Sequence, residues 1–276
     1  MKKWIVGLLT ATSIFGLAAC GNGGDSEGNT ESKEITVGAS NVPHAEILEK
    51  AQPLMEDKGY ELNIEPYQDY IFPNKDLANG DIDANYFQHI PYLESQKEEH
   101  GYDFVNAGGI HIEPIGVYSK KYDSLKDLPE GATILMSNSV ADHGRILSLL
   151  EKEGLITLKD GVEKTKATLE DIKDNPKNIQ FDYEYEAALL PEYFKNGEGD
   201  AVLINSNYAI DAGINPLEDS IAIEKSDSPY VNVIAVQKGD EDNKAIKALV
   251  EVLRSKEIQD FILEEWEGAV VPVSEE

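Results

Sequence analysis

The stretch "DANYFQHIPYLE", Asp83 to Glu94, decides the fold. Four ring-bearing residues, Tyr86, Phe87, His89 and Tyr92, fall within seven positions of a chain that is only 8% aromatic. Upstream, "PNKDLANGDI" reads as a short helix ended by a glycine turn. The stretch itself opens as a buried strand, and "PYLESQKEEHGY" continues it as a helix. A buried strand between two helices is the unit of an α/β fold. On an extended segment Phe87 and His89 share one face and Tyr86 takes the other, so Tyr86 is the expected core residue of the group.

The same alternation runs outward in both directions. Strands are expected at 34–40, 61–67, 112–122, 131–139, 178–183, 200–206 and 229–240. Helices are expected from Pro43, from Ala141, from Glu184 with Pro191 inside it, and twice after Asp242. Pro53 should kink or break the first of these. In such sheets ligands sit where strands end and helices begin. The informative positions are therefore Ala39–Ser40, Phe87–His89, Ser137–Arg145, Asn205–Tyr208 and Asn232.

The amino terminus carries an address. Met1-Lys2-Lys3 is basic, residues 4–19 are uncharged and mostly apolar, and Leu17-Ala18-Ala19-Cys20 follows. Sixteen residues is short of the roughly 20 that a membrane span needs. The pattern is that of a signal peptide over residues 1–19. Leu-Ala-Ala-Cys resembles the bacterial lipobox, in which the Cys20 thiol is lipidated. Cys20 is the single cysteine of the sequence, so no disulfide is expected within the chain. "GNGGDSEGNTESK" has no apolar residue, which makes residues 20–33 a lipidated cysteine and flexible tether. The expected location is the extracytoplasmic face of the cell membrane, held by a lipid anchor.

Formal net charge is −28, and loss of Lys2 and Lys3 with the signal takes it to −30. Such a surface excludes nucleic acid as a partner, because phosphate binding needs Lys and Arg. No Walker loop, G-x-S-x-G, H-E-x-x-H or G-x-G-x-x-G is present, and an enzyme is not expected. Five histidines are spread along the chain, two of them in H-x-E triplets, His44–Glu46 and His111–Glu113. With 52 Asp and Glu, such neighbours arise by chance. No metal or cofactor is expected. A metal site built on His44, His89 or His111 is the alternative.

The polar residues at strand ends suit a small zwitterion. Arg145 offers a planar fork for a carboxylate, against the plainer role of an ion pair. Asp142 or Ser139 could cap the helix there. Asn205 and Asn207 follow a strand, where Asn is equally at home as a cap. Asn232 lies inside a strand and needs a partner. Tyr67, Tyr70, Phe72 and the 86–92 cluster supply an apolar wall.

The stretches "PHAEILE" (43–49), "DY-x-x-PN" (69–74), "GDIDANYFQHIPYL" (80–93), "EPIGVYSKK" (113–121), "LLEKEGLI" (149–156), "INSNYAIDAGINP" (204–216) and "DSPYVNVIAV" (227–236) together resemble the NlpA-type lipoproteins, the methionine-binding subunits of ABC importers. The resemblance implies a two-lobe, periplasmic-binding-protein-like (type 2) α/β fold, each lobe a mostly parallel sheet flanked by helices. It places lobe 1 at 34–113 plus 229–276 and lobe 2 at 114–228, with two hinge strands crossing near 113–117 and 229–233. It implies a monomer that binds an amino acid and hands it to a permease driven by an ATPase. It assigns the carboxylate to Arg145, polar contacts to Asn205, Asn207 and Asn232, and the side-chain pocket to Tyr67, Phe87, His89 and Tyr92. The family's helix-start motif resembles I-P-N-D-P-x-N-x-x-R. Here it reads Met136-Ser137-Asn138-Ser139-Val140-Ala141-Asp142-His143-Gly144-Arg145. Asp142 replaces an amide and could take the ligand's ammonium, which leaves L-methionine, D-methionine and a methionine-containing dipeptide open. A surface adhesin on the same fold is the remaining alternative.

Overall fold

The structure, a computed structural model, describes residues 32–273. The signal peptide, Cys20 and the tether up to residue 31 lie outside the described residues, as do 274–276. The strands are β1 (Glu34–Ser40), β2 (Glu61–Tyr67), β3 (Ala84–His89), β4 (Phe104–Ile112), β5 (Gly116–Tyr118), β6 (Thr133–Ser137), β7 (Thr157–Leu158), β8 (Ile172–Asp174), β9 (Gln180–Tyr185), β10 (Ala201–Ile204), β11 (Ser220–Ile223), β12 (Val231–Gln237) and β13 (Val271–Pro272). The helices are α1 (Glu46–Asp57), α2 (Phe72–Asn79), α3 (Ile90–His100), α4 (Val140–Lys152), α5 (Leu190–Lys195), α6 (Ser206–Asp211), α7 (Lys244–Leu253) and α8 (Lys256–Trp266).

Two large sheets, one per lobe, organise these elements, and β7 and β8 pair separately as a small antiparallel sheet. The first has the order β13-β4-β12-β3-β1-β2 and the second β11-β5-β10-β6-β9. The pairings give β2, β1, β3 and β4 one direction, with β12 and β13 opposed. In the second sheet β5 alone opposes the other four. The two antiparallel inserts, β12 and β5, each follow a strand of the other sheet in sequence. Each therefore enters its sheet against the local direction.

Alternation along the strands feeds a core on each side of each sheet. In β12, Ile234 and Val236 face the cluster of Ile47, Leu48 and Leu249, while Val233 and Ala235 face Leu77, Leu93 and Phe104. In the second sheet Ile134 and Met136 pack on Ile146 and Leu150 of α4. Leu135, Val202 and Ile204 pack on Leu190, Phe194 and Tyr208 from α5 and α6. Each fully buried side chain of this size stabilises by roughly 1.5–3 kcal/mol before entropy is counted. Helix ends are fixed locally: Asn243 Oδ1 accepts from the Ala245 N–H at 2.8 Å, and Gly80 ends α2 in a left-handed conformation at φ 78°.

Several expectations need correction. Pro53 does not break α1, which runs through it; Pro53 is exposed, and Ile47, Leu48, Ala51 and Met55 hold the buried face. Pro191 opens α5 instead of interrupting a longer helix, where its missing N–H costs nothing. The strand expected at 112–122 is only 116–118, and a nine-residue strand, β4, precedes it. β4 contains Gly108 and Gly109, which disguise it. A Cβ on Gly108 would lie 2.6 Å from Val250 Cγ1, so this glycine lets α7 seat directly on the strand.

Candidate ligand-binding site

The ends of β3, β6 and β10, the start of β12 and the first turns of α4 and α6 meet around one cleft of about 380 Å³. The gap itself is narrow. Phe87, His89, Tyr92, Asp142, Arg145, Asn205, Asn207 and Asn232 all line it. Eight of the nine anticipated ligand contacts thus converge from positions 87 to 232.

Tyr67 does not join them. It ends β2, the edge strand, and β1 separates it from β3. Its ring packs over Gly38, and its hydroxyl donates to Asp76 Oδ2 at 2.5 Å. Phe72 also faces outward, 53% exposed. Tyr70 takes their place in the wall, with ring centroids 5.9 Å from Phe87, 6.0 Å from Tyr92 and 4.8 Å from Tyr208. Tyr86 is fully buried in the core, as its strand face requires.

Arg145 is held from behind. Its Nε donates to Glu224 Oε2 at 3.1 Å, and its Nη2 bonds the same carboxylate and the Glu113 carbonyl, the latter at 2.7 Å. The Tyr230 ring lies 4.6 Å from the guanidinium carbon, a cation–π contact. Nη1 sits 3.8 Å from Asp142 Oδ1, within ion-pair but beyond hydrogen-bond range. Burial works against the charge, yet Glu224 and Asp142 outweigh it and raise the guanidinium above its ordinary value. Glu224 was not anticipated, and no local pattern around it marks an arginine anchor.

Asp142 is 1% exposed. Burial alone would push its carboxyl up; the hydrogen bond from His89, with Arg145 and Asn205, pulls it below the ordinary range. The Tyr92 N–H donates to His89 Nδ1 at 3.1 Å, which leaves the ring hydrogen on Nε2, 3.1 Å from Asp142 Oδ1. Asn205 occupies the cap position of α6, but its side chain makes no capping bond. Its Nδ2 donates instead to Asp142 Oδ2 at 3.3 Å, and its Oδ1 is a buried acceptor without a hydrogen-bond partner among the described residues. Asn207 Oδ1 accepts from the Tyr70 hydroxyl at 2.6 Å.

Beneath the cleft floor lies a second polar group. His44, His111 and Glu113 bring their donor atoms within 4.8 Å of one another, all buried. These include two of the three histidines that a metal reading would use; His89 instead serves Asp142. His111 Nε2 is 2.7 Å from Glu113 Oε1, a hydrogen-bond distance, and His44 Nε2 is 3.2 Å from the same oxygen. The Glu113 Oε2 accepts the Asn207 N–H at 3.1 Å. Burial lowers His44 to about 4, with Glu113 opposing, and His111 to about 3. Burial keeps both rings neutral at pH 7, so His111 contacts Glu113 through a hydrogen bond and not as an ion pair, while His44 Nε2 hydrogen-bonds Asn232 Oδ1 at 3.1 Å.

Comparison with known proteins agrees with this architecture over almost the whole chain. Residues 35–274 match the model of the NlpA lipoprotein family. The methionine-binding lipoprotein MetQ of Bacillus subtilis (strain 168) is 52% identical over 277 residues, covering all of both chains. The D-methionine-binding lipoprotein MetQ of Escherichia coli (strain K12) is 37% identical over 259 residues, 94% of each chain. A solved nutrient binding protein from Burkholderia cenocepacia bound to methionine superposes with a TM-score of 0.81 at 42% identity, covering 86% of this chain and 99% of that one. The chain belongs to the NlpA lipoprotein family.

Proposed function

We propose that this chain is a lipid-anchored, extracytoplasmic solute-binding protein that captures L-methionine between its lobes and delivers it, as a monomer, to the permease and ATPase of an ABC importer. The observation that carries the ligand class is that one cleft brings together an unpartnered acceptor, a carboxylate and a guanidinium. Asn205 Oδ1, a buried acceptor without a partner, sits beside the Asp142 carboxylate, a seat for an ammonium. Arg145 Nη1, 3.8 Å from Asp142 Oδ1, and Asn232 line the same cleft and supply a seat for a carboxylate. Phe87, Tyr70 and Tyr92 cover the side chain, and aromatic edges suit a thioether. The family relatives named for methionine and D-methionine support the choice of amino acid.

In this reading lobe 1 is 34–113 plus 229–276 and lobe 2 is 114–228. The chain crosses after β4 and again before β12, and these segments form the hinge. The site captures its solute and transforms nothing, and it needs no cofactor. Cys20 carries the lipid. Among the described residues no helix is long and apolar enough to cross a membrane, and the lipid serves as the anchor.

Calorimetric titration of refolded, ligand-stripped protein tests this reading. L-methionine should saturate one site per chain, and Asn205→Ala should weaken it about tenfold, the worth of one hydrogen bond to a charged group. D-methionine and methionine dipeptides serve as comparison ligands; tighter binding of either would reassign the solute. Heat only with Zn, Mn or Ni salts would overturn the reading.

A further inference from the structure

Asn232 is placed by the sheet between two histidines: it pairs with His89 of β3 on one side and His111 of β4 on the other. Irregularities in both ladders follow it immediately, which frees its side chain to turn. Its Oδ1 lies 3.1 Å from His44 Nε2. The orientation of that amide follows from its neighbours. Glu113 Oε2 accepts the Asn207 N–H, and His111 Nε2 and His44 Nε2 lie 2.7 and 3.2 Å from its Oε1, an oxygen that in an ionised carboxylate can only accept. A ring nitrogen lone pair at 3.2 Å from that oxygen would be repelled, so His44 Nε2 carries the hydrogen. His44 Nδ1, buried and without a hydrogen-bond partner among the described residues, is then a bare acceptor, which is tolerated better than an orphaned N–H. By the same logic His111 donates from Nε2, and its Nδ1 accepts from the Tyr86 hydroxyl.

We infer that Tyr86, His111, Glu113 and His44 form an orientation lock for Asn232, fixing its oxygen inward and its NH₂ toward the cleft, so that Asn232 reads the solute's carboxylate while Asn205 reads its ammonium. The lock makes the two asparagines inequivalent: one is committed as a donor, the other as an acceptor. It acts through hydrogen position alone, and its members are positioning residues that need no contact with the solute. This inference rests on the proposed zwitterion site.

Glu113→Gln tests it with little change of shape. A glutamine NH₂ facing the two rings would draw their hydrogens to Nδ1, let Asn232 turn over, and present its oxygen to the carboxylate. Binding of L-methionine to the full chain is measured by calorimetry in a double-mutant cycle with Asn232→Ala. The lock predicts that Glu113→Gln weakens binding tenfold or more in the native background and less than threefold in the Asn232→Ala background. Equal losses in both backgrounds, or no loss in the native one, would overturn the lock, because general loosening of the fold adds independently. Normal binding by Asn232→Ala alone would instead overturn the site reading beneath it. His44→Leu gives a second cycle if Glu113→Gln does not fold: the same non-additivity is expected, and additive losses again refute the lock.

Discussion

Replacing Arg145 by lysine separates its charge from its shape. The charge itself must stay, because Arg145 lies between two carboxylates, Glu224 in contact and Asp142 at 3.8 Å. At an effective dielectric constant near 20, the Asp142 pair alone represents about 4 kcal/mol of gross attraction. Alanine would strip that from two groups that are 2% and 13% exposed, and loss of folding would mask any effect on binding. Lysine keeps the charge but has no fork. It cannot hold Glu224 and the Glu113 carbonyl while offering a further N–H to the cleft. The lost charge-assisted bond to the solute is worth about 1.5–3 kcal/mol, a ten- to hundredfold loss of L-methionine affinity. Without ligand, a cost of about 1–2 kcal/mol from the anchor should lower Tm by only a few degrees. Calorimetry of both proteins, with melting curves recorded in the absence of methionine, separates the two effects. Affinity within threefold of the native protein, with a similar Tm, would show that Arg145 is a structural ion pair and not the carboxylate seat.

Further outcomes follow from other contacts. Phe87→Ala should cut methionine affinity about tenfold or more while leaving the weaker binding of alanine nearly unchanged; equal losses for both amino acids would remove Phe87 from the side-chain pocket. Gly144→Ala should destabilise by about 1–3 kcal/mol, because a Cβ there would collide with the backbone of Lys164 and Thr165, and an unchanged Tm would contradict that packing. The buried imidazoles predict a pH dependence with a definite sign. Their folded pKa values lie near 4 for His44 and 3 for His111, below the unfolded 6.5, so the unfolded chain binds more protons between these limits. Their stabilisation is complete above pH 6.5 and declines as pH falls toward 4 and 3, by at most roughly 3–5 kcal/mol each. Glu113, raised by burial, acts in the opposite sense above pH 4.5 and blunts the slope. Melting curves from pH 7 to 4 should show the decline, and His44→Leu should flatten it; a flat native profile would contradict neutral buried rings.

Much of the site was legible because its residues follow strands. Phe87, His89, Asn205 and Asn232 could be placed by strand ends alone, and the two-residue period separated Phe87 from the core residue Tyr86. Tyr67 was misplaced because the order of strands within a sheet is a tertiary property. Nothing local tells that β2 is the edge and β3 adjoins the cleft. Glu224 was hidden by an acidic composition in which one more carboxylate carries no signal. The His111–Glu113 triplet was visible, but its partner His44 lies 67 positions before His111, and only the junction of β1 with α1 brings it there. β4 escaped because Gly108 and Gly109 interrupt its apolar pattern for the sake of helix packing.

The account turns on whether this cleft holds a methionine zwitterion. The direct measurement is a titration of L-methionine into the full chain, stripped by unfolding and refolding in the presence of a chelator. One saturable site per chain, with a matching rise in Tm, is the predicted result. No heat and no rise in Tm with L-methionine, D-methionine or their dipeptides, from protein shown to be refolded, would contradict it.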